Sequence, residues 1–468
     1  MPLENTALHA APVHELSAAL ADGRLTSAAL VESLLERIGR YDRKLHAFVT
    51  VYADEARTAA AAADAARRAG HAVGPLHGIP VAVKDIIDIE GRVTTGGSKV
   101  WAERVSPVTA TLVRRLISAG MIVLGKTHTV EFAMGSFGTN QHMGAPWNPW
   151  DLAVHRGPGG SSSGTGVAVA ARLAPWGIGT DTGGSVRIPA SWCGLTGLKT
   201  TIGRVSTYGV LPLSTTLDTP GPMTRCVEDA AVLYNVLQGP DSNDPLTLRH
   251  PVDDPRPKLK VGIAGLRLAR MPAVERAVCE PDVLAAYDAS LEALAGLGAT
   301  IVDVALPRPF AEMGGLVGRI IAAEGYSFVG ALVDNPALAV DDDVRPRIQP
   351  GRNMLAKDYL VALREREALK REFASALEPV DALLTPTTAT VAIPVNEIDQ
   401  KGTAAGFTRA ANLLDYCALA VPNGLSANGL PTSLQIVGRG YDEATVLRIG
   451  WAFEQATLWH RAMPKDLG

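Results

Sequence analysis

A glycine- and serine-rich segment, residues 157–198, holds the residue types best suited to chemistry. Within it, Thr182, Gly183 and Gly184 run directly into Ser185. Glycines let a ligand approach the backbone closely, and successive backbone N–H groups in such a turn can hold an oxyanion. The pattern therefore predicts an oxyanion site beside a nucleophilic serine, although a solvated surface turn has the same composition.

A second serine, Ser162, competes for the role of nucleophile, because residues 160–164 fit the G-x-S-x-G pattern of α/β-hydrolases. That pattern requires a strand immediately before it, and residues 148–158 are interrupted by prolines and charged residues instead. A catalytic histidine would have to follow the serine, where only His250 and His460 exist. We therefore favour Ser185 over Ser162.

Residues 120–127 match the phosphate-binding pattern G-x4-G-K-[ST]. The four central residues are bulky and apolar, which favours a strand, and a helix is predicted before them. A phosphate loop needs a strand before it and a flexible loop in the middle. We therefore interpret this match as a coincidence.

The elements that must position these residues alternate between short apolar strands and amphipathic helices. Lys84 ends a β-branched run at 79–83 that is typical of a buried strand. Further strands are predicted at 121–124, 259–263, 299–304, 382–384 and 433–437, and helices at 27–40, 54–70, 109–119, from 282 onward and at 442–456. This alternation predicts an α/β fold with helices on both faces of a sheet, and a more irregular insertion at about 305–375.

Three long segments resemble the amidase signature family of serine hydrolases, namely residues 78–99, 157–206 and 430–457. The resemblance runs from about 25 to 457 and is weakest between about 305 and 375. It implies the amidase signature fold, a mixed twisted sheet of many strands sandwiched between helices.

The resemblance also implies a single amidase domain over residues 1–468. Within that domain, a helical N-terminal region would cover about 10–70 and the core about 71–260 and 380–460. The segment at about 305–375 would form a variable region on the substrate side.

A Ser–cis-Ser–Lys triad follows from the same resemblance. Ser185 matches the nucleophile, Ser161 matches the bridging serine 24 residues before it, and Lys84 matches the base. The family's bridging serine follows a cis peptide bond, so we expect a cis bond between Gly160 and Ser161. A lysine buried at a strand end loses its charge more readily, and its neutral amine could then take a proton from Ser185 through Ser161.

Nine further residues are assigned supporting roles. The predicted oxyanion hole consists of the backbone N–H groups of Thr182, Gly183 and Gly184. The residues that flank the nucleophile and are expected to orient its loop are Thr180, Asp181 and Arg187. The residues predicted to line a substrate pocket are Met134, Gly135 and Phe137.

Two substrate assignments compete within the family: a free-standing amidase for small amides, and the glutaminase subunit of a tRNA-dependent amidotransferase. A glutamine site needs a placed arginine and a placed acid. The candidates match no family motif, and surface charges are the alternative: Arg319, Glu324, Arg345, Arg347 and Arg352. Because residues 136–147 are more apolar than the glutaminase pattern, we expect a free amidase with an apolar pocket, acting on small amides, aryl amides or carbamates (urethanes). A non-catalytic binding scaffold on the same fold is the remaining alternative.

The composition bounds the other functional classes. With a net charge of −4 and a pI of about 6.2, the 468-residue chain carries no electrostatic signal for nucleic acid or an anionic membrane. No uninterrupted apolar run approaches the ~18 residues of a membrane span, and the first residues lack a signal-peptide pattern. The four scattered cysteines fit free thiols and have no zinc spacing. We expect a cytoplasmic enzyme with a small-molecule substrate and no metal or cofactor, and a homodimer stays open.

Overall fold

The computed structural model describes residues 8–467, and its centre is one mixed sheet of 11 strands. The strands are β1 (Phe48–Val51), β2 (Pro80–Lys84), β3 (Ile122–Thr127), β4 (Gly177–Asp181), β5 (Thr196–Lys199), β6 (Thr219–Thr224), β7 (Arg267–Arg270), β8 (Thr300–Asp303), β9 (Ala382–Pro386), β10 (Cys417–Leu425) and β11 (Pro431–Gly438). Their order across the sheet is β1-β3-β2-β4-β6-β5-β10-β11-β9-β7-β8. Strand β2 runs parallel to β3 and β4, and β7 runs parallel to β8 and β9, whereas the other pairs are antiparallel.

Fourteen α-helices surround this sheet within the described residues. They are α1 (Val13–Ala21), α2 (Ser27–Leu45), α3 (Ala53–Arg68), α4 (Thr111–Ser118), α5 (Ser163–Ala170), α6 (Arg187–Cys193), α7 (Val227–Leu237), α8 (Arg256–Leu259), α9 (Pro281–Gly296), α10 (Phe310–Val333), α11 (Arg345–Ile348), α12 (Ala356–Ala376), α13 (Arg409–Leu413) and α14 (Glu443–Thr457). Short 3₁₀ helices lie at Lys99–Trp101, Glu131–Ala133, Pro245–Leu248, Ala273–Val278, Gln349–Asn353, Val395–Glu397 and Trp459–Arg461.

The central strands are buried on both faces. Every residue of β2, β4 and β11 is buried, and successive side chains of a strand point to opposite faces. Both faces must therefore be covered, which explains why β2 is an almost continuous apolar run in the sequence. The prediction of an α/β fold with a mixed sheet between helices is confirmed, and Lys84 lies at the carboxyl end of β2, opposite Thr127 of β3.

Two predictions about the second half of the chain are wrong. Residues 259–263 do not form a strand, because α8 ends at Leu259 and Gly262 then turns the chain with a φ of 78°. The segment at 305–375 is not irregular, because α10 and α12 occupy most of it. The five glycines of α10 hide its helical pattern in the sequence, while tertiary packing outweighs their low helix propensity.

Helix α10 also has the length and apolar composition of a membrane span, the one helix within residues 8–467 that does. Just over half of its most apolar stretch, 56%, is buried inside the protein, so it packs as a core helix.

The sheet takes strands from both parts of the predicted core, and the division of the chain into domains stays a prediction.

The segment that matches the phosphate-loop pattern is a strand, as expected. Gly125, Lys126 and Thr127 belong to β3, which pairs with both β1 and β2. Gly125 is required here because a Cβ at this position would lie 2.2 Å from the carbonyl oxygen of Thr50 in β1. The close approach of β1 to β3 thus depends on a residue without a side chain.

We expect Gly125→Ala to lower the free energy of unfolding by about 1–3 kcal/mol, since overpacking forces the backbone of β1 to move. Gly39→Ala is the matched control, because Gly39 is exposed inside α2 and no atom lies within 4 Å of its added Cβ. That change should raise the free energy of unfolding by about 0.5–1 kcal/mol through the better helix propensity of alanine. Urea unfolding measures both, and equal effects would contradict the tight approach of β1 and β3.

Candidate active site

Within residues 8–467, no carboxylate contacts the amine of Lys84. Its side chain is fully buried at the end of β2, and Nζ donates hydrogen bonds to Ser161 Oγ at 2.7 Å and Thr180 Oγ1 at 2.9 Å. Burial lowers the pKa of Lys84 to about 7, although Asp218 and Asp181 act in the opposite direction. The neutral amine is therefore accessible near neutral pH, where an exposed lysine would be charged.

Ser161 is fixed between Lys84 and the loop before the 3₁₀ helix Glu131–Ala133. The Gly160–Ser161 peptide bond is cis, as the resemblance implies. The Ser161 carbonyl accepts hydrogen bonds from the backbone N–H of Val130 at 3.1 Å and from Thr129 Oγ1 at 2.9 Å. With its backbone held from one side and its hydroxyl from the other, Ser161 can pass a proton without moving.

Ser185 lies in the short connection between β4 and α6 and lines a cavity. Its carbonyl accepts a hydrogen bond from the N–H of Ser162 at 3.3 Å, which joins the two serine segments. Its hydroxyl has no hydrogen-bond partner among residues 8–467. The structure therefore brings Lys84 and Ser161 into contact and places Ser185 next to them, without a hydrogen bond between the two serine hydroxyls.

The loop amides differ from the predicted oxyanion hole at one position. The N–H of Gly184 donates to Asp181 Oδ1 at 2.7 Å, so it is not free to bind an oxyanion. The N–H groups of Thr182, Gly183 and Ser185 have no acceptor in the described part of the chain, and these three residues line the cavity. The assignment of Gly184 is thus wrong, because a buried carboxylate below the loop already uses its N–H.

Asp181 and Arg187 orient this loop from beneath, as the sequence predicts. Arg187 Nε and Nη2 donate to the two carboxylate oxygens of Asp181 at 2.9 and 2.8 Å, and both side chains are fully buried. The other donors of the guanidinium reach Thr408 O, Gln435 Oε1 and Asn412 Oδ1. Although burial opposes it, the Arg187 guanidinium holds the pKa of the Asp181 carboxyl well below its usual range.

Thr180 has a more direct role than the one predicted. Its hydroxyl accepts a hydrogen bond from Lys84 Nζ, so it contacts the candidate base instead of only supporting the loop. Strands β2 and β4 are parallel neighbours, with Ala82 paired to Gly177. A residue near the end of β4 therefore lies beside the end of β2, a contact that no sequence motif reveals.

The cavity beside Ser185 has a volume of about 90 Å³. Met134 and Gly135 line it, as predicted. Phe137 is not part of its lining, because its ring stacks on Trp192 at 6.2 Å within a separate buried apolar cluster. The cavity is thus suited to a compact ligand, and Phe137 supports the scaffold behind it.

Of the charged candidates of the 305–375 region, Arg347 alone lines this cavity. Arg319 and Arg352 form surface ion pairs with Glu365 and Asp334. Arg345 donates to the backbone carbonyls of Val333, Asn335 and Leu338, while Glu324 is buried and accepts from Ser214, Thr216 and Tyr359. A further cavity arginine, Arg409, was missed, because no pattern around it signals a site.

No group of three or more His, Cys, Asp or Glu side chains that could hold a metal occurs within residues 8–467. The four cysteines are free thiols. The groups gathered at the site are the hydroxyls of Ser161, Thr180 and Ser185, the amine of Lys84, backbone N–H groups and two arginines.

The comparisons with known proteins identify the family. A protein-family model described as Amidase matches residues 29–447. The A subunit of glutamyl-tRNA(Gln) amidotransferase from Geobacter sulfurreducens is 41% identical over 476 residues, which cover 96% of this chain and 98% of that protein. The native peptide amidase of Stenotrophomonas maltophilia has a TM-score of 0.85 and 31% identity, covering 96% of this chain and 97% of that one.

A second solved structure is similar over the same extent. It comes from a vestigial protein complex that reveals the origins of an s-triazine catabolic enzyme, with a TM-score of 0.89, 31% identity, and coverage of 95% of this chain and 98% of that one. Fold and similarity together define an enzyme of amide chemistry. The chain belongs to the amidase signature family.

We expect Arg187→Met to lower the free energy of unfolding by about 3–5 kcal/mol, because the change leaves the buried carboxylate of Asp181 without its partner. Adding Asp181→Asn to the same chain should recover part of that loss, since the uncompensated charge is then removed. Urea unfolding of the single and double variants measures both effects. A double variant no more stable than Arg187→Met would contradict the ion-pair interpretation.

Proposed function

We propose that the protein hydrolyses the C–N bond of small amides through an acyl-enzyme on Ser185. The observation that carries this proposal is the hydrogen bond from the buried Lys84 amine to the hydroxyl of Ser161. An alcohol needs a base to become a nucleophile, and a lysine serves as one only where its amine is neutral. The lowered pKa of Lys84 meets that condition.

The reaction starts when Ser185 Oγ attacks the carbonyl carbon of the amide. The Ser185 proton passes to Ser161 Oγ as the Ser161 proton passes to Nζ of Lys84. The C–N bond then breaks, the leaving amine takes a proton back along the same path, and the acyl group remains on Ser185 as an ester. Water attacks this ester through the same relay, so that amide and water give carboxylic acid and amine in equal amounts.

The negative charge on the carbonyl oxygen is stabilised by the unoccupied loop amides. Three cavity-lining residues have free backbone N–H groups: Thr182, Gly183 and Ser185. Donors that are already oriented lose nothing in reorganisation when the charge develops. For the proton relay, the Ser185 hydroxyl has to approach Ser161, and the hydrogen bond from the Ser162 N–H to the Ser185 carbonyl keeps the two segments together. Catalytic hydrogen bonds of this kind commonly tighten when substrate binds.

The proposal specifies the reaction type more closely than the leaving group or the acyl group of the substrate. Aryl amides and carbamates would be cleaved by the same relay, since the pocket selects the substrate and not the triad. Glutamine hydrolysis within an amidotransferase is the second candidate, favoured by the similarity to the glutamyl-tRNA(Gln) amidotransferase protein over nearly the whole chain. A free-standing enzyme should act without partner proteins, whereas an amidotransferase component should hydrolyse glutamine efficiently only in its assembly.

The test is a hydrolysis panel with the purified chain alone, covering aliphatic amides, anilides, aryl carbamates and glutamine. We expect turnover of at least one non-glutamine amide and covalent labelling of Ser185 by a fluorophosphonate. Ser185→Ala should remove both, and Ser162→Ala serves as the comparison that keeps the labelled hydroxyl. Labelling that persists in Ser185→Ala would refute the assignment of the nucleophile, and turnover of glutamine alone, only with added partners, would favour the second candidate.

The pH dependence tests the base. Below pH about 7 the Lys84 amine is protonated, so kcat/KM should fall roughly tenfold per pH unit there and level off above it. Lys84→Met should abolish turnover at every pH while the protein stays folded by circular dichroism. Lys199→Met is the control, since Lys199 is also buried but donates only to the carbonyls of Thr200 and Tyr416. A Lys84→Met variant with near wild-type rates would disprove the role of the amine.

A further inference from the structure

Arg409 is a half-buried cation with no acidic partner among residues 8–467, and it lines the same cavity as Ser185. Its side chain makes one hydrogen bond within residues 8–467, from Nη1 to the carbonyl of Gly314 in α10 at 3.4 Å. Of the five N–H groups of a guanidinium, most are therefore unoccupied. A guanidinium with so few acceptors at a cavity wall is available to bind an anionic group of a ligand.

No aspartate or glutamate lines the cavity in the described part of the chain. The second arginine of the wall, Arg347, is largely satisfied: it donates to the carbonyls of Met134 and Gln400 and to Gln400 Oε1, and Asp343 and Asp341 act on it from outside. For Arg409 no acid acts in this way, and burial together with Arg347 lowers its pKa. The wall thus carries an excess of positive charge that centres on Arg409.

Arg409 is held in a fixed position relative to the nucleophile loop. Its Cγ would lie 3.4 Å from a Cβ added to Gly183, so its stem packs directly against that glycine. The neighbouring Thr408 donates from Oγ1 to the Gly183 carbonyl at 2.6 Å. Gly183 is two residues before Ser185, so Arg409 lies beside the loop that carries the proposed nucleophile.

We propose that this enzyme prefers amides whose acyl part carries a carboxylate, which Arg409 binds. This inference rests on the proposed function and names its substrate class as monoamides of dicarboxylic acids. A guanidinium can bind a carboxylate through two parallel hydrogen bonds, which would orient the acyl chain. Glutamine fits less well, because its ammonium group would enter a cationic cavity without an acidic partner.

The experiment compares matched pairs of substrates: succinamate with butyramide, and glutaramate with valeramide. In each pair the carboxylate replaces a methyl group, so length is nearly constant. We expect kcat/KM of the wild type to be higher for the anionic member, and Arg409→Met to lower that value by about 100-fold, a loss typical of a truncated buried charge pair. The variant should lose much less activity on the neutral amides than on the anionic ones, because methionine keeps a stem against Gly183 and the anion contact is what is lost.

Arg319→Met is the matched control, since Arg319 lies on α10 but is exposed and paired with Glu365. It should leave both substrate pairs unchanged. Equal loss for neutral and anionic amides in Arg409→Met would assign Arg409 a purely structural role and overturn the proposal. A wild type without a preference for the anionic amides would also overturn it, while hydrolysis of the neutral amides would leave the proposed function standing.

Binding provides a readout that does not depend on turnover. Calorimetry with the Ser185→Ala protein should detect succinamate or glutaramate, and adding Arg409→Met should weaken the affinity by about the same 100-fold factor. Glutamine should bind more weakly than glutaramate. If neither anion binds the Ser185→Ala protein, or if Arg409→Met leaves their affinity unchanged, the anion site at Arg409 is refuted even where no amide is hydrolysed.

Discussion

The proposed reaction needs the buried amine of Lys84 in its neutral form, and the groups that surround this amine favour that form. Three lysines are fully buried close to the sheet, and each has a different environment. Lys126 is paired with Asp85 at 3.2 Å, and Lys199 donates to two backbone carbonyls. Lys84 contacts only two hydroxyls, which stabilise an ammonium less than a carboxylate does. Of the three lysines, Lys84 therefore loses its proton most easily.

The ease with which Lys84 loses its proton also depends on what the neighbouring carboxylates bind. Asp181 is close enough to act on Lys84, but its carboxylate is bound by Arg187 and by the N–H groups of Gly184 and Val186. The Arg187 guanidinium thus keeps the Asp181 carboxylate from becoming a counter-ion of the amine. The same contacts hold the loop whose residues Thr182 and Gly183 line the cavity. One buried ion pair therefore acts on both the proposed base and the proposed oxyanion site.

Local sequence predicted the parts of the site that depend on strand position and motif. The apolar run before Lys84 predicts a buried strand, and that alone implies a desolvated amine. Contacts between separate segments were not predictable in the same way: Thr180 reaches Lys84 only because β2 and β4 are neighbours, and Gly184 loses its N–H to a side chain three residues earlier. The apolar composition of residues 136–147 predicted that Phe137 lines the pocket, but its ring stacks on Trp192 instead. The same limit applies to the fold, where tertiary packing keeps α10 helical despite its five glycines.

The arginines of the cavity wall and the residues of the proposed proton relay come from different parts of the chain. Substrate specificity and reaction type can therefore vary independently. The relay is built on β2, on the segment before α5 and on the turn after β4. The cationic wall is supplied by α13 and by the residues around α11. Because Arg409 contacts the loop only through its stem at Gly183 and the neighbouring Thr408, its charge can be altered without moving the amides of the loop. A relative with the same relay can therefore act on a different acyl group, and strong similarity to amidotransferase proteins carries information about the reaction and much less about the substrate.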